Sequence, residues 1–164
     1  MAMKVLIMHH VEPMWESSLS SISGLTFEQY LEEIADHVFC NNYDRIILTR
    51  FEEHKAEPDV YWGLTEYISQ VETYDYGWCL DQLEVSDLND LEPVGEELYK
   101  SEYGQLWCKG GNHSEIVWVA DWMLELKNDE VSICGAFEGE CIEDLEIALE
   151  AAKVNFNRIE SLIV

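Results

Sequence analysis

Val131-Ser132-Ile133-Cys134-Gly135-Ala136-Phe137-Glu138-Gly139-Glu140-Cys141 decides the fold class of this 164-residue chain. The apolar run 131–134 is too short for a helix, and Asp129-Glu130 before it and Gly135 after it mark it as a buried strand. From Cys141 onward apolar residues recur at 141, 145, 148, 149 and 152, the stripe of a helix packed along one face and running to about Lys153. A strand that feeds a helix through a glycine turn is half of a βαβ unit. In open α/β sheets the crevice beyond the carboxyl ends of such strands is where ligands bind.

Working outward, Lys4-Val5-Leu6-Ile7-Met8 reads as a second buried strand with His9-His10 at its end, and Arg45–Thr49 as a third, ending in Arg50. Between them Val11–Gly24 reads as an irregular serine-rich segment. Thr26 and Gln29 then form a capping box before a helix with apolar positions 27, 30, 31, 34 and 38, and Asn41–Asp44 reads as a turn. Ile159–Val164 reads as a last strand. The runs 105–109 and 115–119 flank Gly110-Gly111-Asn112-His113 and predict a hairpin, with Asp121 capping a short helix through Leu126. A rival possibility makes 115–127 one helix capped by Ser114; the β-branched Ile116, Val117 and Val119 favour the strand. The expected fold is α/β: a Rossmann-like three-layer sandwich with a mostly parallel sheet and the hairpin on one edge.

Length and a hydrophobic fraction of 48% fit one packed domain. Its least legible part, about 52–104, holds 15 acidic and 2 basic residues from Glu52 to Glu102 and is expected to be an acidic, less regular insertion or cap. Within it 60–71 reads as a helix, Tyr74–Trp78 as an aromatic turn, and 80–98 as loops with a short helix. No run of about 18 apolar residues is present, so no membrane partner is expected. The same lack of a long apolar run makes a cytoplasmic protein the expectation, and five cysteines, an odd number without a C-x-x-C pair, argue against a disulfide framework and a classical zinc site. A formal net charge of −25 disfavours direct contact with nucleic acid and points to a basic partner if the partner is a protein.

The residues that could carry chemistry gather after the expected strands. Cys141 heads a helix, where the positive dipole end lowers a thiol pKa, but Glu140, Glu143 and Asp144 oppose that. The stretch 131–152 resembles the isochorismatase-like cysteine hydrolases, which also place a nucleophilic cysteine after a strand, a glycine and a short loop at the head of a helix. That resemblance implies Cys141 as nucleophile. It departs from the family at His9, where an aspartate stands, and at the family's lysine, for which Arg50 is only a positional stand-in. The plainer reading of Cys141, a small half-buried helix-start residue, is preferred, and Cys134 belongs to the core.

His9 could act as a general base. His9, His10 and Glu12, with Glu53, His54, His113 and Asp121, supply donors for a metal but in no recognised ligand spacing. A hydrogen-bonded histidine pair at a strand end is the plainer reading. His37 is expected on the apolar face of its helix in a structural role. Arg50 could clamp an anion or simply pair with a carboxylate. Trp15 and Trp62 could stack on a planar ligand. The Gly135, Ala136, Phe137 and Glu140 turn completes the candidate site; it lacks the phosphate-loop pattern, and its acids favour a neutral or cationic group or a bridging metal.

Two functions follow as expectations. One is a small-molecule-binding protein, or a hydrolase or transferase using Cys141, with His9 as a base, or a His-bound metal, with its site at the strand ends; whether a cofactor is needed is not legible in the sequence. The other is a non-enzymatic acidic protein, an inhibitor, regulator or nucleic-acid mimic, that binds a basic partner.

Overall fold

The computed structural model describes residues 1–50, 71–76 and 88–164. Five strands, β1 (Lys4–His9), β2 (Arg45–Arg50), β3 (Val71–Asp75), β8 (Glu130–Gly135) and β9 (Phe156–Ile163), form a wholly parallel sheet in the order β3-β2-β1-β8-β9. Four more, β4 (Glu92–Gly95), β5 (Leu98–Lys100), β6 (Leu106–Lys109) and β7 (Ile116–Val119), form an antiparallel meander in that order. Among the described residues the α-helices are α1 (Glu16–Ser23), α2 (Phe27–Asn41), α3 (Asp121–Leu124) and α4 (Cys141–Ala151).

Strand alternation splits the core in two. Val5, Ile7, Ile47, Val131 and Ile133 face Leu145, Ala148 and Leu149 of α4 together with Cys108, Val117 and Val119 of the second sheet. Leu6, Met8, Ile46, Leu48 and Cys134 face Leu19 of α1 and Phe27, Tyr30, Ile34 and Val38 of α2. The central strand β1 is therefore covered on both faces, which is why it reads as a continuous apolar run.

The capping box at Thr26 forms: Gln29 N–H donates to the threonine hydroxyl at 3.1 Å, and Thr26 N–H donates to Gln29 Oε1 at 2.9 Å. Other expectations are corrected. The hairpin 106–119 exists, but it belongs to the second sheet and not to an edge of the parallel one. The segment 11–24 is not irregular. It holds a short 3-10 turn and α1, anchored by the fully buried Leu19 despite the low helix propensity of its serines. Asp121 is not a cap; Ala120 occupies that position, and Asp121 is the first residue of α3. Asn41 ends α2 and Asn42 closes it in the left-handed conformation, so the turn begins one residue later than expected. α4 stops at Ala151, and the last strand begins at Phe156. Residues 71–75, expected as helix end and turn, are an edge strand among the described residues; 92–100, expected within or beside loops, is the β4–β5 hairpin. The expected helix at 60–70, Trp62, Glu53, His54 and Trp78 lie outside the described residues.

Candidate functional site

Strands β2 and β3 lie on one side of β1, and β8 and β9 on the other. Strand order therefore reverses between β1 and β8, and the crevice at their carboxyl ends is the topological switch point of the sheet. His9 and Gly135 are register partners there. Their backbones approach so closely that a Cβ at position 135 would sit 2.0 Å from the His9 carbonyl oxygen, and Gly135 has φ +120°. Only glycine meets both demands. Ala136 N–H donates to the His9 carbonyl at 2.9 Å, and Val164 N–H donates to the Gly135 carbonyl at 3.0 Å, so the loop after β8 is held from both neighbouring strands.

His9 lies on the same face of β1 as Val5 and Ile7, toward α4. His10 would point the opposite way in a regular strand. It instead adopts φ 53°, a conformation that costs a non-glycine residue free energy. The kink lays its ring against His9, with centroids 3.9 Å apart and planes 18° from parallel. Both rings are buried, as are Glu12 and Thr49. His10 Nε2 donates to the Tyr76 carbonyl at 2.6 Å; a carbonyl only accepts, so this nitrogen carries the proton. His9 Nδ1 shares a proton with Thr49 Oγ1 at 2.6 Å. Burial first, and then the neighbouring His10 ring, hold the His9 pKa well below its ordinary value, opposed weakly by the Cys141 backbone. His9 is therefore uncharged at neutral pH.

An aromatic block backs the pair. Tyr76 lies 5.6 Å from His9, stacks on Trp118 at 5.5 Å, meets Trp122 edge-on, and donates its hydroxyl to the Trp118 carbonyl at 2.8 Å. On the far side of the crevice Trp15, which follows β1, meets Phe137, which follows β8, in a T-shaped contact at 6.0 Å. Trp15 thus packs on the protein's own ring.

Cys141 opens α4 half-buried. Burial pushes its thiol up to about 12, helped by the charges of Asp144, Glu140 and Glu12. Glu143, expected beside the thiol, turns away: its carboxylate accepts from His113 N–H at 2.9 Å. Asp144 accepts from the Ser114 hydroxyl at 2.7 Å and lies 3.8 Å from His113 Nε2. These contacts pin the β6–β7 turn to the first turn of α4, and they place His113 in a structural tie. Cys134 is fully buried in the core as expected.

The structure thus unites His9, His10 and Gly135–Phe137, with Glu12 buried two residues beyond the stack and Cys141 heading α4 behind the His9 ring. Arg50 ends β2, and its carbonyl accepts from Tyr76 N–H at 2.8 Å. Asp121 and Glu140 are exposed. Asp121 makes no hydrogen bond or ion pair with the cluster among the described residues. His37 is half-buried, with Nε2 2.7 Å from the Tyr43 hydroxyl, so its role is structural but outside the core. Among the described residues no three His, Cys, Asp or Glu side chains are grouped to hold a metal ion. Thr49 and Tyr76 were not singled out from sequence. Thr49 is detectable as the polar residue that β2 sets in register with His9.

No family model matches this chain, and no curated protein or solved structure matches it.

Proposed function

We propose that the chain binds a small polar molecule at the carboxyl end of its parallel sheet, the sheet being the middle layer of a Rossmann-like three-layer sandwich. The observation that carries this is the stacked His9–His10 pair, held by a left-handed backbone at the switch point, with His9 uncharged. Burying two imidazoles, a carboxylate and a hydroxyl costs free energy that apolar side chains would not cost. A polar cluster kept there at such expense suits recognition better than packing. The raised Cys141 pKa argues against a resting thiolate, so binding is favoured over cysteine hydrolysis. If the site is catalytic, neutral His9 is the group fitted to accept a proton.

The test is a melting-temperature screen with small amides, alcohols and amines. A ligand present at 100 times its Kd stabilises by about 2.7 kcal/mol. Compounds that raise the melting temperature of the wild type and not of His9→Gln or Arg50→Ala support the proposal. Stabilisation that is equal in all three proteins refutes it.

A second reading rests on α2, which exposes Glu28, Glu32, Glu33 and Asp36 and carries no Lys or Arg. A face of one sign suits a basic protein partner. Salt-sensitive association with such a partner, unchanged by His9→Gln or Cys141→Ser, would favour this function over the first.

A further inference from the structure

His9 carries an open end that the fold itself does not use. Its ring is fully buried, and Nε2 has no hydrogen-bond partner among the described residues. Two proton arrangements fit the 2.6 Å contact between His9 Nδ1 and Thr49 Oγ1. In the first, Nδ1–H donates to the hydroxyl, and the hydroxyl donates onward to the Met8 carbonyl, 3.4 Å away. In the second, the hydroxyl donates to Nδ1, and the ring proton sits on Nε2. The second turns Nε2–H toward the Cys141 backbone, which favours a protonated ring but is not in hydrogen-bond geometry with it, and leaves the Met8 carbonyl without the hydroxyl proton. The first leaves only an acceptor unmet, which folded proteins tolerate better.

We infer that Thr49 is a positioning residue that fixes His9 as its Nδ1–H tautomer, so that the site presents a bare Nε2 lone pair and selects ligands bearing an N–H or O–H donor. The ligand half of this statement rests on the binding role proposed above; the tautomer half stands without it. His10 carries a proton on Nε2, so the stack sets a protonated Nε2 in one ring beside a bare Nε2 in the other. An N–H or O–H group also suits the acidic surroundings, because both Glu12 and the −25 chain favour a donor over an anion.

Long-range proton–nitrogen correlation spectra of uniformly labelled protein at neutral pH decide the matter. The expected result is a pyrrole-like Nδ1 and a pyridine-like Nε2 for His9 in the wild type and in Thr49→Ser. In Thr49→Val the proton is expected to move to Nε2, toward the Cys141 backbone. A protonated Nε2 in the wild type, which needs no variant to fold, overturns the tautomer assignment. Acetamide and N,N-dimethylacetamide, added at matched concentration, then test the ligand class. A shift of His9 Nε2 with acetamide alone supports it. An equal shift with both overturns the donor requirement and leaves the binding role standing. No shift with either, on a pyridine-like Nε2, overturns the ligand half together with the binding role and leaves the tautomer assignment intact.

Discussion

The two ends of the parallel sheet solve the same problem in opposite ways. At the amino end the polar groups are charged, near water and paired. Lys4 Nζ donates to the Asn41 carbonyl at 2.7 Å, Asp44 and Asp129 accept from the backbone N–H groups of Lys4 and Met3, and Arg45 grips Glu72 through two hydrogen bonds of 2.8 and 2.9 Å. At the carboxyl end the polar groups are uncharged or buried, and the backbone is contorted to bring them together. The first arrangement is what stability alone asks of a strand terminus. The second spends stability, which is the mark of a site.

That contrast can be broken by experiment. The largest difference is expected in thiol chemistry. Cys40 lies exposed on the last turn of α2, at the amino end, whereas a thiol held at about 12, as Cys141 is, is ionised at pH 8 to only about 10⁻⁴. Peptide-resolved iodoacetamide labelling of the folded protein should therefore mark Cys40 long before Cys141; fast labelling of Cys141 would restore the nucleophile implied by the isochorismatase-like resemblance. Next comes Gly135→Ala, where a methyl group would strike the His9 backbone. Urea unfolding should show a loss above about 3 kcal/mol, or no folded protein at all. A loss under about 1 kcal/mol would mean that the carboxyl end is not tightly built.

The pH dependence separates the ends as well. Because the His9 pKa is lowered on folding, the unfolded chain binds the proton more readily. The contribution of His9 to stability is complete above the unfolded value near 6.5 and is lost as pH falls below it, at about 1.4 kcal/mol per pH unit. His37 moves in the same direction, also through burial. His9→Gln should therefore flatten most, not all, of the slope between pH 6.5 and 5. Glu72 is lowered chiefly by its hydrogen bond to Arg45, so its contribution is present above the ordinary carboxylate range and fades only at lower pH. The smallest effect is expected for Arg45→Ala, about 0.5 kcal/mol, because both partners are partly exposed and screened. A cost above about 1 kcal/mol would mean that the pair is not screened by water in this way.

Much of the sheet was legible because β1, β2 and β8 are buried on both faces and so spell continuous apolar runs. The strand β3, Val-Glu-Thr-Tyr-Asp, carries acids at the sheet edge and blends into the acidic stretch around it. β4 and β5 were hidden for a related reason. Every residue of β4 is exposed, and the hairpin turns at Glu96-Glu97, with Glu97 at φ 60°, instead of at an Asn-Gly pair. Such strands exist because β6 pairs with β5 and β5 with β4, a tertiary cause that no local pattern records. The β6–β7 hairpin announced itself through Gly110-Gly111-Asn112, but the sheet it joins depends on Glu143 and Asp144 of α4 gripping its turn. In the site, His9 and His10 were visible as polar residues closing an apolar run. Their stacking was not, because it depends on one backbone angle. Thr49 looked like any β-branched strand residue until its register with His9 gave it a partner.

The contact between Tyr76 and both His9 and Trp118 has an optical consequence. Coupled tyrosine and tryptophan transitions held in a fixed chiral arrangement give the folded protein a near-ultraviolet circular dichroism signal. Because one ring of that couple touches the imidazole, the chromophores sit where they can read out the histidine. Whatever reaches His9, a proton or a bound molecule, should write itself into that spectrum without any label being attached.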